Sequence, residues 1–100
     1  EEPFGPLVPI LTFKNFDEVI ERANDNDLGL CSYLYTNSMD KAHIGSEKLE
    51  SGCVAVNTGV VALAEAPFGG IKQTGYGREG GSGAIKDYLN VKYTHMGLKI

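Results

Sequence analysis

The chain has 100 residues, of which 42% are hydrophobic and 22% are charged, and its net charge is −4. These values are typical of one soluble globular domain, or of a piece of one. The acidic balance argues against nucleic acid and against an anionic membrane as partners, and no apolar run approaches the length of a transmembrane helix. The sequence starts without methionine and without a signal-peptide pattern, so we expect an internal piece of a longer protein.

The two cysteines, Cys31 and Cys53, lie in separate apolar runs and not in a CxxC pair. We therefore expect them to be reduced, small hydrophobic residues of a cytoplasmic protein. Neither stands beside a base or a helix start, which argues against a nucleophilic role. The cysteine and histidine pattern predicts no metal site.

The first predicted elements are a strand and a helix. The apolar run at residues 7–13 predicts a buried strand, with Pro9 at its start or on a sheet edge because proline lacks an N–H donor. Asn15 and Glu18 have the spacing typical of a helix N-terminus. The helix is expected over residues 16–23, with apolar side chains on one face and charged side chains on the other.

A second strand and a second helix follow in the same order. Residues 30–35 predict the strand, and either Asn37 or Ser38 is suited to begin the helix, which Gly52 is expected to end. Residues 53–57 predict a third strand, rich in small and β-branched residues.

The order β-α-β-α-β predicts an α/β fold, with a parallel sheet, right-handed crossovers and helices flanking the sheet. In such sheets a ligand binds beyond the carboxyl ends of the strands. Asn57 and the loop that follows it lie at that end of the predicted sheet.

The C-terminal segment has a different pattern. Residues 82–87 predict one helical turn, and residues 89–94 alternate between apolar and polar as in a half-buried strand. After Thr94 the alternation changes phase, which a strand can do only with a bulge or a change of covering partner. Both an intersubunit strand and a frayed chain end fit this pattern.

Seven glycines lie within residues 69–83. The GxGxxG pattern at residues 75–80 lacks the preceding strand, the long helix and the downstream acid of a dinucleotide fingerprint. Tyr76 stands where a phosphate-binding P-loop has lysine. Interspersed aromatic and charged side chains argue against a flexible linker. A long loop shaped by its glycines remains, and such loops are usually functional.

Three motifs resemble the aldehyde dehydrogenase superfamily: EEPFGP at residues 1–6, VAVN at residues 54–57 and APFGGIKQTGYGREG at residues 66–80. The resemblance covers essentially the whole chain. VNTG at residues 56–59 and DYLNVKYTHMGL at residues 87–98 look most like the succinate-semialdehyde dehydrogenase branch. The resemblance implies oxidation of an aldehyde to an acid with NAD or NADP.

The resemblance also implies a C-terminal fragment that is inactive alone. The nucleophilic cysteine, the general-base glutamate and the Rossmann domain of the family lie upstream of these motifs, as does the determinant of NAD against NADP. We expect residues 1–83 to form the last part of the catalytic domain and residues 84–100 to form an oligomerisation arm. A homo-oligomer is expected to form through the segment from Tyr93 to Ile100, and the remainder of the enzyme is a further partner.

Two cofactor-binding residues carry over from the family pattern. Glu2 matches the glutamate that binds the nicotinamide ribose, and a carboxylate can accept hydrogen bonds from both hydroxyls of a diol. Phe4 matches the aromatic residue that packs beside the nicotinamide. Without the motif, Glu2 fits a solvated terminal acid and Phe4 fits the core.

The expected substrate site combines an aromatic residue with a loop. Phe68 matches a residue that lines the aldehyde tunnel, and residues 58–65 match the segment that shapes specificity. The candidates in that segment are Thr58, Val60 and Ala62. Succinate-semialdehyde dehydrogenases usually have a serine there that holds the substrate carboxylate, whereas residues 60–64 are VVALA. A hydrocarbon loop cannot donate that hydrogen bond, so a longer or less polar aldehyde also fits.

Glu79 resembles a glutamate that is proposed in the family to relay protons from the active-site base. An ion-paired surface acid fits equally well, because Arg78 and Lys86 are near in sequence. A second function class also fits the chain, namely a small autonomous α/β binding module that uses the glycine-rich loop and the tail strand. Wide exposed apolar surface would favour the fragment, and a compact monomer would favour the module.

Overall fold

The computed structural model describes residues 2–99. Glu1, which opens the EEPFGP motif, and Ile100, which ends the predicted arm, lie outside the described residues. In chain order the elements are α1 Phe16–Asn24, β1 Leu28–Gly29, β2 Cys31–Leu34, α2 Met39–Lys48, β3 Cys53–Val56, β4 Ile71–Lys72 and a 3-10 helix at Ala84–Tyr88. None of the helices within residues 2–99 has the length and apolar character needed to cross a membrane.

Helix α1 begins where its capping residues predict. The side chain of Asn15 accepts a hydrogen bond from the backbone N–H of Glu18 at 2.9 Å. The carboxylate of Glu18 in turn accepts from the N–H of Lys14 at 2.9 Å. Two N–H groups at the helix start therefore have partners. The apolar face of the helix is buried at Ile20.

Helix α2 begins at the predicted cap and ends earlier than expected. The hydroxyl of Ser38 accepts from the N–H of Lys41 at 3.3 Å, which selects Ser38 over Asn37 as the cap. The prediction that Gly52 ends the helix is wrong, because the helix closes with the N–H of Leu49 on the carbonyl of Gly45 at 3.0 Å. Gly52 instead lies against the backbone of Gly69.

Strands β2 and β3 pair in parallel, with Cys31 opposite Cys53 and Leu34 opposite Val56. Helix α2 connects them, so the predicted β-α-β unit with parallel strands is confirmed for this part of the chain. The buried apolar residues are Ile20, Cys53 and Ala55. The core therefore lies between β3 and the two helices.

The predicted first strand, at residues 7–13, is not formed within the described part of the chain. Its side chains are exposed, 81% for Val8 and 84% for Ile10. The tail strand predicted at residues 89–94 is likewise unpaired there, with Val91 fully exposed. A strand is stable only when a neighbour takes up its backbone hydrogen bonds. The expected β-α-β-α-β order is therefore corrected to α1-β1-β2-α2-β3-β4 within the described residues.

A second pair of strands was not predicted from the sequence. Strand β1 pairs antiparallel with β4, so that Leu28 lies opposite Lys72 and Gly29 opposite Ile71. This pairing brings the glycine-rich loop, defined as residues 66–83, back onto the connection between α1 and β2.

Candidate functional site

The glycine-rich loop is closed by a backbone pair between Phe68 and Glu79. The N–H of Phe68 donates to the carbonyl of Glu79 at 2.7 Å, and the N–H of Glu79 donates to the carbonyl of Phe68 at 2.8 Å. Residues opposite each other in an antiparallel pair place their side chains on the same side. The aromatic ring and the carboxylate accordingly line one cleft.

Arg78, an exposed residue, joins two parts of the loop backbone. Its guanidinium Nη1 donates to the carbonyl of Gly70 at 2.7 Å and to the carbonyl of Gly77 at 2.8 Å. Hydrogen bonds from a charged donor are stronger than those between neutral groups. The cation is therefore engaged with the loop backbone, and within residues 2–99 no ion pair joins Arg78 to Glu79.

Two further contacts fix the base of the loop. The N–H of Gly29 donates to the Thr74 hydroxyl at 2.8 Å. The Lys72 ammonium donates to the carbonyls of Asn24 at 2.8 Å and Asn26 at 3.1 Å. A cation at the C-terminal end of a helix interacts favourably with its unpaired carbonyls. The loop is thus attached to the end of α1 and to β1.

The far end of the loop needs glycine at Gly80. Its φ is +71°, and an added Cβ would lie 2.7 Å from the carbonyl oxygen of Ala66. Both the left-handed backbone and the close approach exclude a side chain. The next residue, Gly81, donates its N–H to the carbonyl of Ala64 at 2.9 Å. The end of the loop is therefore joined to the segment predicted to shape specificity.

The first cleft, lined by Phe68 and Glu79, has a volume of about 560 Å³. Leu30 and Thr74 lie at its edge, and Tyr88 of the 3-10 helix lies on its wall. Phe68 is half-buried and Glu79 is exposed. The cleft thus combines an aromatic wall with an accessible carboxylate, which can accept a proton or a hydrogen bond.

The predicted cofactor residues lie elsewhere. Glu2 is exposed on the wall of a second cleft of about 550 Å³, which Cys31 also lines. The two clefts share Leu30 and Thr74 at their boundary. Phe4 is 93% exposed. The described structure therefore does not bring these two residues together with Phe68 and Glu79.

The predicted specificity segment is exposed at its three candidate residues, Thr58, Val60 and Ala62. The hydroxyl of Thr58 accepts from the N–H of Val60 at 3.2 Å, which stabilises a turn directly after β3. Within residues 2–99 these three side chains do not line the first cleft.

Asn57 has a positioning role that the sequence did not reveal. Its side chain accepts from the N–H of Thr36 at 2.9 Å and donates to the carbonyl of Thr36 at 3.0 Å. Its φ is +55°, a left-handed value that asparagine tolerates better than most residues. The pair joins the ends of β2 and β3 and sets the direction in which the chain leaves the sheet. The signal available in the sequence was an asparagine at the carboxyl end of a strand.

Comparison with known proteins agrees with this arrangement. The model of the Aldehyde dehydrogenase family matches residues 1–94. The chain belongs to the aldehyde dehydrogenase family. Its α/β character is shared with solved structures of the family.

Three curated relatives are similar over nearly the whole chain. They are the 3-sulfolactaldehyde dehydrogenase of Pseudomonas putida, 50% identical over 97 residues, the NADP(+) succinate-semialdehyde dehydrogenase GabD of Escherichia coli, 47% identical over 98 residues, and the glutarate-semialdehyde dehydrogenase of Pseudomonas putida, 50% identical over 93 residues. The chain covers 20%, 20% and 19% of their lengths, while 97%, 98% and 93% of the chain is matched. It therefore spans about a fifth of each of these dehydrogenases.

Two solved structures show the same backbone arrangement. The aldehyde dehydrogenase of Brucella melitensis biovar abortus superposes with a TM-score of 0.89 at 49% identity, and the match covers 94% of this chain and 20% of that one. The NAD+ complex of the aldehyde dehydrogenase from Bacillus cereus superposes with a TM-score of 0.85 at 45% identity, over 89% of this chain and 18% of that one. The chain matches about a fifth of each enzyme.

Proposed function

We propose that this chain is the C-terminal part of an NAD(P)-dependent aldehyde dehydrogenase that oxidises a small aldehyde with an anionic group at its far end. In this proposal residues 1–83 complete the catalytic domain, and residues 84–100 form an arm that pairs between subunits. The reactive cysteine comes from the remainder of the polypeptide, so the chain alone has no activity. The reduced cysteines fit a cytoplasmic enzyme.

The observation that carries this proposal is the backbone pair between Phe68 and Glu79, held by Arg78. It presents an aromatic ring and a carboxylate to one cleft. An aromatic wall excludes water from an aldehyde carbon, and a carboxylate can take a proton from a neighbouring base and pass it to solvent. We propose that Phe68 lines the aldehyde tunnel and that Glu79 relays protons. The other residues of the active site would come from the remainder of the enzyme.

The cofactor proposal rests on Glu2 and Phe4. The Glu2 carboxylate is exposed at the wall of the second cleft, so its oxygens are accessible to the two hydroxyls of a ribose, and the residue fits such a group. The exposed ring of Phe4 offers a flat apolar face for a nicotinamide. NAD or NADP, when bound, would supply the hydride acceptor. The chain's own residues hold and orient it.

The substrate proposal is supported by the three curated relatives. Their names specify 3-sulfolactaldehyde, succinate semialdehyde and glutarate semialdehyde. All three molecules carry a sulfonate or carboxylate at the end remote from the aldehyde. The VVALA run at residues 60–64 has no hydroxyl to bind that anion. Within residues 58–65 we therefore propose that the hydroxyl of Thr58 donates a hydrogen bond to it. The rest of the anion site must then come from the remainder of the enzyme.

The shape of the chain argues for a fragment and against an autonomous binding module. Its radius of gyration is 19.5 Å, whereas a compact domain of this length has about 13 Å. Large apolar side chains are exposed along both ends, among them Leu7, Val8, Ile10, Val91, Met96 and Leu98. Such extensive apolar exposure is typical of surfaces that contact other protein.

The test compares the full-length polypeptide that contains this chain with the 100-residue chain alone. Each is assayed with NAD and with NADP on the three anionic aldehydes and on neutral aldehydes of matched length, by the formation of reduced nicotinamide. We expect the full-length enzyme to prefer an anionic aldehyde by about tenfold or more in kcat/KM, since a charged hydrogen bond contributes about 1.5–3 kcal/mol.

The chain alone should show no turnover of any aldehyde. Turnover by the chain alone, or none by the full-length enzyme, would contradict the proposed function. A preference for the longer neutral aldehydes would contradict only the anionic substrate and would favour the hydrocarbon loop as the specificity element.

A further inference from the structure

Cys31 and Cys53 lie directly opposite each other on the parallel strands β2 and β3. Their side chains therefore point to the same face of the sheet. Neighbouring strands are about 4.7–4.9 Å apart, and the Cα atoms of disulfides are usually about 4.4–6.8 Å apart. Both cysteines are free thiols. In the sequence the two cysteines lie in separate apolar runs. The strand register places them next to each other.

The two thiols differ in accessibility. Cys53 is buried, and its Sγ donates to the carbonyl of Gly69 at 3.7 Å. Cys31 is half-buried and lies on the wall of the second cleft. Cys31 is therefore more accessible than Cys53 to a small molecule in that cleft.

The environment of Cys31 reflects this proximity. Burial raises the pKa of the Cys31 thiol, and the charge and hydrogen bond of Cys53 raise it further. At neutral pH the Cys31 thiol is therefore mostly protonated, and we expect it to react slowly with a disulfide. Its oxidation needs an added oxidant.

We propose that Cys31 and Cys53 form a redox-sensitive dithiol, which a small-molecule disulfide converts to a disulfide across β2 and β3. The Cys31 thiolate attacks one sulfur of the small disulfide, forms a mixed disulfide and releases one small thiolate. The Cys53 thiolate then attacks the Cys31 sulfur and releases the second. Two protein thiols lose two electrons and two protons, and the small disulfide becomes two thiols.

The modification has a local structural consequence and does not depend on the proposed function. A disulfide has no S–H group, so the carbonyl of Gly69 loses its contact with Cys53. Gly69 directly follows Phe68 in the glycine-rich loop.

The experiment maps the cross-link in the full-length polypeptide after treatment with oxidised glutathione. Free thiols are blocked with N-ethylmaleimide, and the unreduced protein is digested with trypsin. Cleavage after Arg22, Lys41, Lys48 and Lys72 places Cys31 in the peptide of residues 23–41 and Cys53 in that of residues 49–72, with no other cysteine in either. We expect these two peptides to be recovered joined, and to separate on reduction.

Single variants test the order of the steps. Cys53→Ser should stop the reaction at a mixed disulfide of glutathione with Cys31. Cys31→Ser should leave Cys53 unmodified, because it is buried. Modification of Cys53 in Cys31→Ser to the same extent as modification of Cys31 in Cys53→Ser would overturn the proposed order.

The matched control moves the second thiol by one residue. In Cys53→Ser/Val54→Cys the new thiol points to the opposite face of the sheet, since Val54 lies opposite Ser32. This variant should yield no linked peptide. Linked peptides in the control, or complete maleimide labelling of both cysteines in the wild-type protein after oxidant, would overturn the proposal.

Discussion

The guanidinium of Arg78 and the carbonyl of Gly70 are joined by a hydrogen bond of 2.7 Å that spans the glycine-rich loop. The same nitrogen also reaches the carbonyl of Gly77. One side chain therefore determines how closely the two halves of the loop approach. The pairing of Phe68 with Glu79 lies next to this contact, and we expect it to depend on the contact.

Replacing Arg78 by methionine should loosen the loop. Charge-assisted hydrogen bonds contribute about 1.5–3 kcal/mol each, and the two made here are partly solvated, so we expect a local loss of about 1–3 kcal/mol. Amide hydrogen exchange at Phe68 and Glu79 should accelerate accordingly. Lys86→Met removes a nearby exposed cation and serves as the control. Unchanged exchange at both amides in Arg78→Met would refute the anchoring role.

Glu79→Gln separates proton relay from structure. The pair with Phe68 is made by backbone atoms, so the substitution should leave the fold and the KM for aldehyde nearly unchanged. In the full-length enzyme kcat should fall by up to about 10²-fold, the lower end of the range for acid–base groups. Glu21→Gln, on the exposed face of α1, should have no effect. An unaltered kcat across the pH range in Glu79→Gln would rule out the relay.

Asn57→Ala should destabilise the protein by about 2 kcal/mol. It removes both hydrogen bonds to Thr36, each contributing about 1 kcal/mol, and leaves alanine in a left-handed backbone that costs about 1–2 kcal/mol. Asn57 is exposed, so water replaces part of the lost hydrogen bonding and the total free-energy cost is lower than this sum. Asn57→Gly should cost less, because glycine tolerates the positive φ. Equal free energies of unfolding for the two variants, measured in urea, would show that the backbone conformation contributes nothing.

Gly52→Ala should be among the most damaging small substitutions. An added Cβ would lie 2.7 Å from the carbonyl carbon of Gly69 and 2.8 Å from the Cα of Gly70. Backbone atoms cannot move aside cheaply, so we expect a loss of about 1–3 kcal/mol. Gly59→Ala is the matched control, since its Cβ would meet only the Tyr35 hydroxyl at 3.9 Å. Comparable melting temperatures for the two variants would contradict the packing of Gly52 on the loop.

The pH dependence of Cys31 has a definite direction. Burial raises the pKa of its thiol in the folded chain, so alkylation of Cys31 should reach half its maximal rate above the value of about 8.5 for an unfolded cysteine. By linkage, the stability that Cys31 contributes is fully present below the unfolded pKa and is lost as the pH rises through the folded pKa. Cys31→Ser should remove that part of the alkaline loss. A midpoint at or below the unfolded value would contradict the burial.

Local elements could be predicted from sequence because their signals lie within a few residues. Asn15 and Ser38 cap the two helices through side chains that bond the backbone three residues on. The apolar runs of β2 and β3 also predict that these strands are buried. The helix between them predicts that they pair in parallel.

The remaining features join residues far apart in the chain, and no local pattern encodes them. The two-residue strands β1 and β4 are too short to show a period, and they form because the loop folds back 43 residues later onto Leu28–Gly29. The pairing of Phe68 with Glu79 follows from a loop shaped by its glycines and held by Arg78.

The runs at residues 7–13 and 89–94 have a local strand pattern but form no strand. An apolar pattern predicts a strand, but only a neighbouring strand can supply its hydrogen bonds. Tertiary contact likewise brings Cys31 beside Cys53, because register depends on how two strands meet and not on the composition of either.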